Sequence, residues 1–166
     1  MMTRIAGAKY ATLFCCFLAL SACSKKSQPN LDAGLNGVGA GQAAPGSKAD
    51  FSTNVGDREY FLQDQSTLTP EATDTLTKQA GWLKQYGQVT VQVEGHADER
   101  GTREYNIALS ARRATAARNF LIQQGVPANR ISSIAYGKER PVALCDAEQC
   151  WSQNRRAVTV ITGGTN

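Results

Sequence analysis

EGHADERGTREYNIALSARRA, residues 94–114, joins two kinds of periodicity in one stretch. Ahead of it Val89, Val91 and Val93 alternate with Thr90, Gln92 and Glu94, the pattern of a strand with one buried face. The run ends at Gly95, a polar loop follows, and a helical pattern opens near Glu104. Asp98 is a loop carboxylate, and Arg113 stands about two to three turns into the helix at roughly 3.6 residues per turn. A loop folded back over those turns would bring both to one pocket. Such a pair suits a zwitterionic ligand: the carboxylate holds an ammonium, and the planar guanidinium holds a carboxylate through two parallel hydrogen bonds. From residue types alone, a loop Asp and a helix Arg are more often a solvated pair or a structural salt bridge.

Working outward, Tyr60-Phe61-Leu62 is a short β-prone run. Thr69 is placed to cap a helix that Pro70 begins, with Glu71 near the positive end of its dipole. Ala72, Leu76, Ala80 and Leu83 recur at helical spacing, and Gly87 closes the segment. In the second helix Tyr105, Leu109, Ala116 and Phe120 share one side, with Ala117 and Leu121 beside them; Arg112, Arg113 and Arg118 occupy the rest. That helix ends at Gly125, before Pro127. Ile131–Tyr136 and Ala157–Ile161 are two more strands. Strands alternating with helices give an α/β layer, and strand order is not encoded in this pattern.

The wording GHADERGTREYN followed by LSARRA resembles the OmpA-like peptidoglycan-binding domain, and its peptidoglycan-associated lipoprotein branch most closely. YGKERP at 136–141 and NRRAV at 154–158 extend the resemblance over roughly Tyr60 to Val160. It implies a two-layer α+β domain of βαβαββ type, with a mixed four-stranded sheet and its helices on one face. It also implies that Asp98, in GHAD, and Arg113, the second arginine of LSARRA, hold the diaminopimelate group of the peptidoglycan stem peptide. Asn106 shapes the loop or caps the helix, and the resemblance makes it a secondary ligand contact. The NRR block adds Arg155 and Arg156 as candidates, one of which faces the ligand.

The N-terminus reads as a targeting segment. Arg4 and Lys9 precede the short apolar run Tyr10–Leu20, too short to span a bilayer stably. Leu20-Ser21-Ala22-Cys23 resembles the bacterial lipobox, in which the chain is cut before a cysteine that is then lipidated. An uncleaved anchor and an ordinary secretory signal are the alternatives. Residues 1–22 are thus expected to be a signal peptide. Ser24 after the lipidated Cys23 suits delivery to the outer membrane, with the domain in the periplasm. Several acyl chains would make the anchor durable, at about 0.8 kcal/mol per buried methylene. Residues 23–50 are rich in Gly, Ala, Ser and Pro and read as a flexible, disordered tether that would average roughly 30 Å end to end. The folded domain is expected over 51–166.

The formal net charge of +4 over 166 residues contains no block of like charges and does not argue for nucleic acid. After the signal is removed, Cys145 and Cys150 are the remaining candidate thiols. In an oxidising periplasm a disulfide is the default; free thiols or redox chemistry are the alternatives, though the spacing is not CxxC. Glu94, His96, Asp98 and Glu99 invite a metal or acid–base reading, but the chain has a single His, a poor zinc set, and no nucleophile stands out. His96 is expected to fix the loop by hydrogen bonding. No metal, cofactor or catalytic set is expected. The resemblance implies recognition of peptidoglycan without bond breaking, by a lipoprotein tethering outer membrane to cell wall within the Tol–Pal system in envelope integrity and division, with TolB as partner. The alternative is an outer-membrane wall anchor of the same family that works without TolB.

Overall fold

The structure, a computed structural model, describes residues 43–165. The signal segment, Cys23 and the tether as far as residue 42 lie outside the described residues. A one-turn helix, Lys48–Asp50 (α1), opens the fold with Ser47 as its N-cap and runs into a π-helical turn, Phe51–Val55. Among the described residues, helix is therefore already present ahead of Phe51, where the domain is expected to begin. The cause is a long-range anchor: Asp50 Oδ2 accepts a hydrogen bond from Trp82 Nε1 at 2.8 Å, and the buried Phe51 ring lies 4.9 Å from that of Trp82.

The elements that follow are Arg58–Tyr60 (β1), Pro70–Gln85 (α2), Thr90–Gly95 (β2), Arg103–Gln123 (α3), Ile131–Ala135 (β3), Glu148–Asn154 (α4) and Arg156–Gly163 (β4). The four strands lie in the order β1-β4-β2-β3. β4 is antiparallel to both β1 and β2, whereas β2 and β3 are parallel. A parallel pair needs a crossover, and α3 supplies it. This is the mixed four-stranded sheet of the expected two-layer α+β domain. Among the described residues no helix is long and apolar enough to cross a membrane.

α2 forms as its sequence dictates. Thr69 Oγ1 accepts from the Ala72 amide at 3.2 Å, Pro70 occupies the first turn, and Ala72, Leu76, Ala80 and Leu83 are all buried. They meet Val91 and Val93 of β2, Ala157 and Ile161 of β4, and Ala114, Ala117 and Leu121 of α3 in one apolar core, so α2 and α3 lie on the same face of the sheet.

Three expectations are corrected. The first strand sits earlier than Tyr60–Leu62, because Phe61 leaves the strand to enter the core while its amide still donates to the Arg155 carbonyl at 2.9 Å. The buried stripe of α3 is Asn106, Leu109, Ser110, Arg113, Ala114, Ala117 and Leu121, not one centred on Tyr105, Ala116 and Phe120; Tyr105 is exposed. Polar residues hold that stripe because the helix's N-terminal half packs under a loop that supplies carbonyls. Finally, α4 is an added helix in the β3–β4 connection, seven residues too short to show a helical period.

Candidate functional site

The β2–α3 loop, residues 96–102, rides above the C-terminal end of β2. Gly95 makes that position possible, since a Cβ there would stand 1.9 Å from the Ser110 carbonyl oxygen; strand and helix touch backbone to backbone. The His96 amide extends the sheet to the Arg156 carbonyl at 2.9 Å, and Ala97 bonds the Gly137 carbonyl at 2.8 Å. Three consecutive loop carbonyls are then held by side chains. Lys138 Nζ reaches those of Glu99 and Gly101 at 3.0 and 2.8 Å, and Asn106 Nδ2 reaches that of Arg100 at 2.8 Å. Thr102, not Asn106, caps the helix, through its hydroxyl oxygen and the Tyr105 amide at 3.2 Å. Asn106 is the loop-shaping residue.

At the crest of the loop Asp98 is almost fully buried. Its Oδ1 accepts from the Arg100 amide at 3.1 Å and from Arg100 Nε at 3.2 Å; its Oδ2 accepts from Arg100 Nη2 at 2.5 Å and from Arg155 Nη1 at 3.4 Å. Burial pushes the carboxyl up, but the Arg100 hydrogen bonds and charge, with Arg155, outweigh it and hold Asp98 below the usual aspartate range. Arg155 also donates to the Phe61 carbonyl at 3.1 Å and pairs with Glu148 of α4, whose carboxyl it lowers in turn.

Arg113 lies beneath this cluster at 0% exposure. Its Nε donates to the Gln65 carbonyl at 2.8 Å, Nη1 to that of His96 at 2.9 Å and Nη2 to that of Leu62 at 3.1 Å. Burial draws its pKa down to about 10 against the pull of Asp98, so it stays a cation at neutral pH. Asp98 and Arg113 are thus brought together, but as neighbours in a stack of charges and not as two open jaws. Of the arginine pair at the start of β4, Arg155 faces Asp98. Arg156 turns away, with Nη2 on the Arg140 carbonyl at 3.2 Å and Nη1 on that of Asn154 at 3.4 Å.

His96 holds the loop through its backbone and not through its ring. Both ring nitrogens are buried without a hydrogen-bond partner, the ring stacks on Tyr136 at 5.5 Å, and burial together with Arg156 and Arg140 lowers its pKa to about 4. Among the described residues no cluster of three or more His, Cys, Asp or Glu side chains is set to hold a metal.

Sequence reasoning missed Arg100 and Glu148, and expected Trp151 to pack the Cys145–Cys150 bridge without a part in the site. Cys145 and Cys150 form a disulfide, with Cα atoms 5.6 Å apart, that closes the approach to α4. Trp151 Nε1 donates to Glu99 Oε1 at 2.9 Å, and the Arg100 guanidinium lies over the Trp151 ring, 4.1 Å from its centroid. Asp64 was also missed. It stands in the left-handed region at φ 55° and accepts from the Tyr105 hydroxyl at 3.2 Å. A cleft of about 600 Å³ opens beside the cluster between β1, the start of α2 and the end of α4; Arg155 is the charged residue common to both.

The OmpA family profile matches residues 60–156, which span β1 to the start of β4. A peptidoglycan-associated lipoprotein of Brucella melitensis is 60% identical over 147 residues, covering 88% of this chain and 87% of that one. The chain belongs to the peptidoglycan-associated lipoprotein family. The Pseudomonas aeruginosa family member is 43% identical over 157 residues, 89% of this chain and 93% of its own length. The crystal structure of the peptidoglycan-associated lipoprotein from Burkholderia pseudomallei superposes with a TM-score of 0.65 at 35% identity, over 69% of this chain and 98% of that one. The C-terminal domain of Helicobacter pylori MotB shares the fold, at a TM-score of 0.61 and 23% identity over 64% of this chain and 84% of that one. Family membership therefore rests on most of the chain, including the β2–α3 loop.

Proposed function

We propose that this chain binds peptidoglycan non-covalently through the free end of diaminopimelate in the stem peptide, and so tethers the outer membrane to the cell wall. The observation that carries the reading is the Asp98 cluster: a carboxylate held ionised by neighbouring guanidinium groups, on a loop fastened by Lys138, Asn106 and Arg113. Asp98 takes the ligand ammonium. The cationic surroundings, with Arg113 beneath and Arg155 beside it, favour the ligand carboxylate. Asn106 acts on the ligand through the loop carbonyl that it holds, and Arg156, turned from the cluster, is left out of the contact set. No step breaks a bond.

Family membership supports the rest of the reading. Cys23 carries lipid in the outer membrane, the segment that follows is a leash, and the domain works in the periplasm with TolB in the Tol–Pal system. The same anchor acting without TolB is the second reading, and a pull-down with TolB separates the two. Cys23→Ala is expected to release the protein from the outer membrane.

The deciding experiment is co-sedimentation of the detergent-solubilised full-length chain with purified diaminopimelate-type sacculi. The parent should pellet with the wall, Asp98→Ala should stay in the supernatant while keeping the parent's circular dichroism, and prolonged incubation should release no soluble wall fragments. Equal pelleting of parent and Asp98→Ala would remove the site assignment; released fragments would remove the non-enzymatic one.

A further inference from the structure

We infer that the Cys145–Cys150 bond governs how tightly this chain grips the wall: it is the covalent fixing that holds α4 over the β2–α3 loop, and wall binding weakens when it is reduced. The inference rests on the Asp98 loop being the wall-binding site, as proposed above.

α4 is poorly equipped to stay in place by itself. At 7 residues it falls well short of the roughly 12–15 that sustain an isolated helix in water. Its N-cap, Ala147, offers no side-chain hydrogen bond, and of its residues Asn154 alone is buried. None of them belongs to the apolar core. Polar ties and one covalent bond take the place of packing.

Those ties run to two places. The first is the segment ahead of the helix. Asn154, at the helix end, accepts through Oδ1 from the amides of Val142 and Ala143 at 2.8 and 3.2 Å and donates from Nδ2 to the Ala143 carbonyl at 2.8 Å. Cys150, in the first turn, is bonded to Cys145. Residues 142–145 are thus a rail to which both ends of α4 are fastened, and Arg156 steadies the chain just before it through the Arg140 carbonyl at 3.2 Å. The second place is the site. Glu148 pairs with Arg155, and Trp151 donates from Nε1 to Glu99 at 2.9 Å while Arg100 lies 4.1 Å over its ring. Arg155, Glu99 and Arg100, which surround Asp98, are therefore all positioned from α4.

Cutting the bond releases the first turn of that helix. The Glu148 side chain is 62% exposed, and an ion pair with so wet a partner holds the turn only weakly. Both cysteines are partly exposed, within reach of a dithiol. One thiolate of the reagent attacks a sulfur of the bond and its second thiol resolves the mixed disulfide; two electrons and two protons pass to Cys145 and Cys150 as the reagent closes its own S–S bond. The β2–α3 loop keeps its ties to Lys138, Asn106 and Arg113, so the fold persists while the face held by Trp151 and Glu148 loosens. Ordering that face again on binding costs affinity.

The test is titration of the detergent-solubilised full-length chain onto diaminopimelate-type sacculi, oxidised and in dithiothreitol. The oxidised parent should bind at least about fivefold more tightly than the reduced one. Cys145→Ser with Cys150→Ser should bind like the reduced parent and ignore the reagent. Glu148→Gln with Trp151→Ala, which leaves the bond intact but takes α4 off the site, should show the same weakening and no further effect of dithiothreitol. On reduction, amide hydrogen exchange should quicken in residues 148–154 and 98–101 while α2 and β2 stay protected. Equal binding by oxidised and reduced parent overturns the inference. So does parent-like binding by the Glu148→Gln, Trp151→Ala chain, and so does a loss of binding that comes with lost protection in α2 and β2, since the bond then acts through the whole fold. Asp98→Ala binding like the oxidised parent overturns the site assignment beneath; binding that needs Asp98 but ignores reduction overturns the inference alone.

Discussion

Arg113 donates from Nη1 to the carbonyl of His96 at 2.9 Å, and this single bond fastens the first residue of the β2–α3 loop to the helix beneath. With the bonds to Leu62 and Gln65 it gathers the β1–α2 and β2–α3 loops around one buried cation. Arg113→Leu takes a charged donor from three carbonyls, of which that of Leu62 keeps the Gln65 amide at 3.2 Å. Hydrogen bonds to charged groups contribute about 1.5–3 kcal/mol each and are not fully additive, so a loss of about 3–5 kcal/mol is expected. Urea denaturation measures it; a midpoint equal to the parent's would show that Arg113 has no structural part.

Gly95→Ala should be at least as damaging. The new methyl would press on the Ser110 carbonyl of α3, which is backbone, and on the Ala114 methyl, and no rotamer change gives relief at either. The helix must lift from the strand, taking the loop with it. The expected result is insoluble or unfolded protein, read by circular dichroism; a native spectrum would show that the β2–α3 approach has slack.

The pH dependence contains two opposed contributions. His96 keeps its proton off in the fold until about pH 4, whereas in the unfolded chain it takes one up near 6.5. Between those values the unfolded state binds more protons, so this contribution is present above 6.5 and is lost as the pH falls toward 4. His96→Asn should flatten the fall in stability across that window relative to the parent. Superimposable curves for the two proteins would contradict the burial argument.

Glu59 acts in the other direction. Burial raises its carboxyl to about 8, against the hydrogen bond from Gln79 and with the help of Asp57. The fold retains a proton that the unfolded chain releases above about 4.5. The contribution is therefore complete below 4.5 and drains away as the pH rises through 8. Glu59→Gln should remove that decline and be the more stable protein at pH 8. A thermal melt series from pH 5 to 8.5 decides it; a parent curve that does not fall more steeply than the variant's rules it out.

The Cys145–Cys150 bond closes a short loop, and in the chain-entropy model its removal costs about 2 kcal/mol. The double change Cys145→Ser with Cys150→Ser should lower the unfolding free energy, read from urea denaturation in non-reducing buffer, by that amount. The parent should move to the same value when reduced, and no shift on reduction would mean that the bond adds nothing to stability.

Much of the scaffold was legible because local rules agreed with the tertiary outcome. Thr69-Pro70 and the apolar spacing 72/76/80/83 specify α2, and the valine alternation specifies β2. The α3 face was misread because its buried stripe contains Asn106, Ser110 and Arg113, whose partners are carbonyls distant in sequence and invisible to a hydrophobic period. The same holds for the site. Asp98 stands out as a loop carboxylate, but its company does not: Arg155 is 57 residues away, and Trp151 meets Glu99 across 52. His96 looked like a hydrogen-bonding ring and is instead a buried neutral one, since stacking on Tyr136 gives it no donor or acceptor.

The sheet order β1-β4-β2-β3 places the last strand of the described fold between the first and second. β1 has no neighbour until β4 has been made, and Arg155, the residue just before β4, is needed to complete the Asp98 cluster. A ribosome or a secretion pore that has released only the residues up to β3 therefore holds a chain with an unfinished sheet and an unfinished site. The complete sheet waits for the C-terminal residues, so a chain threaded through a membrane would cross it before there is a finished domain to jam the passage.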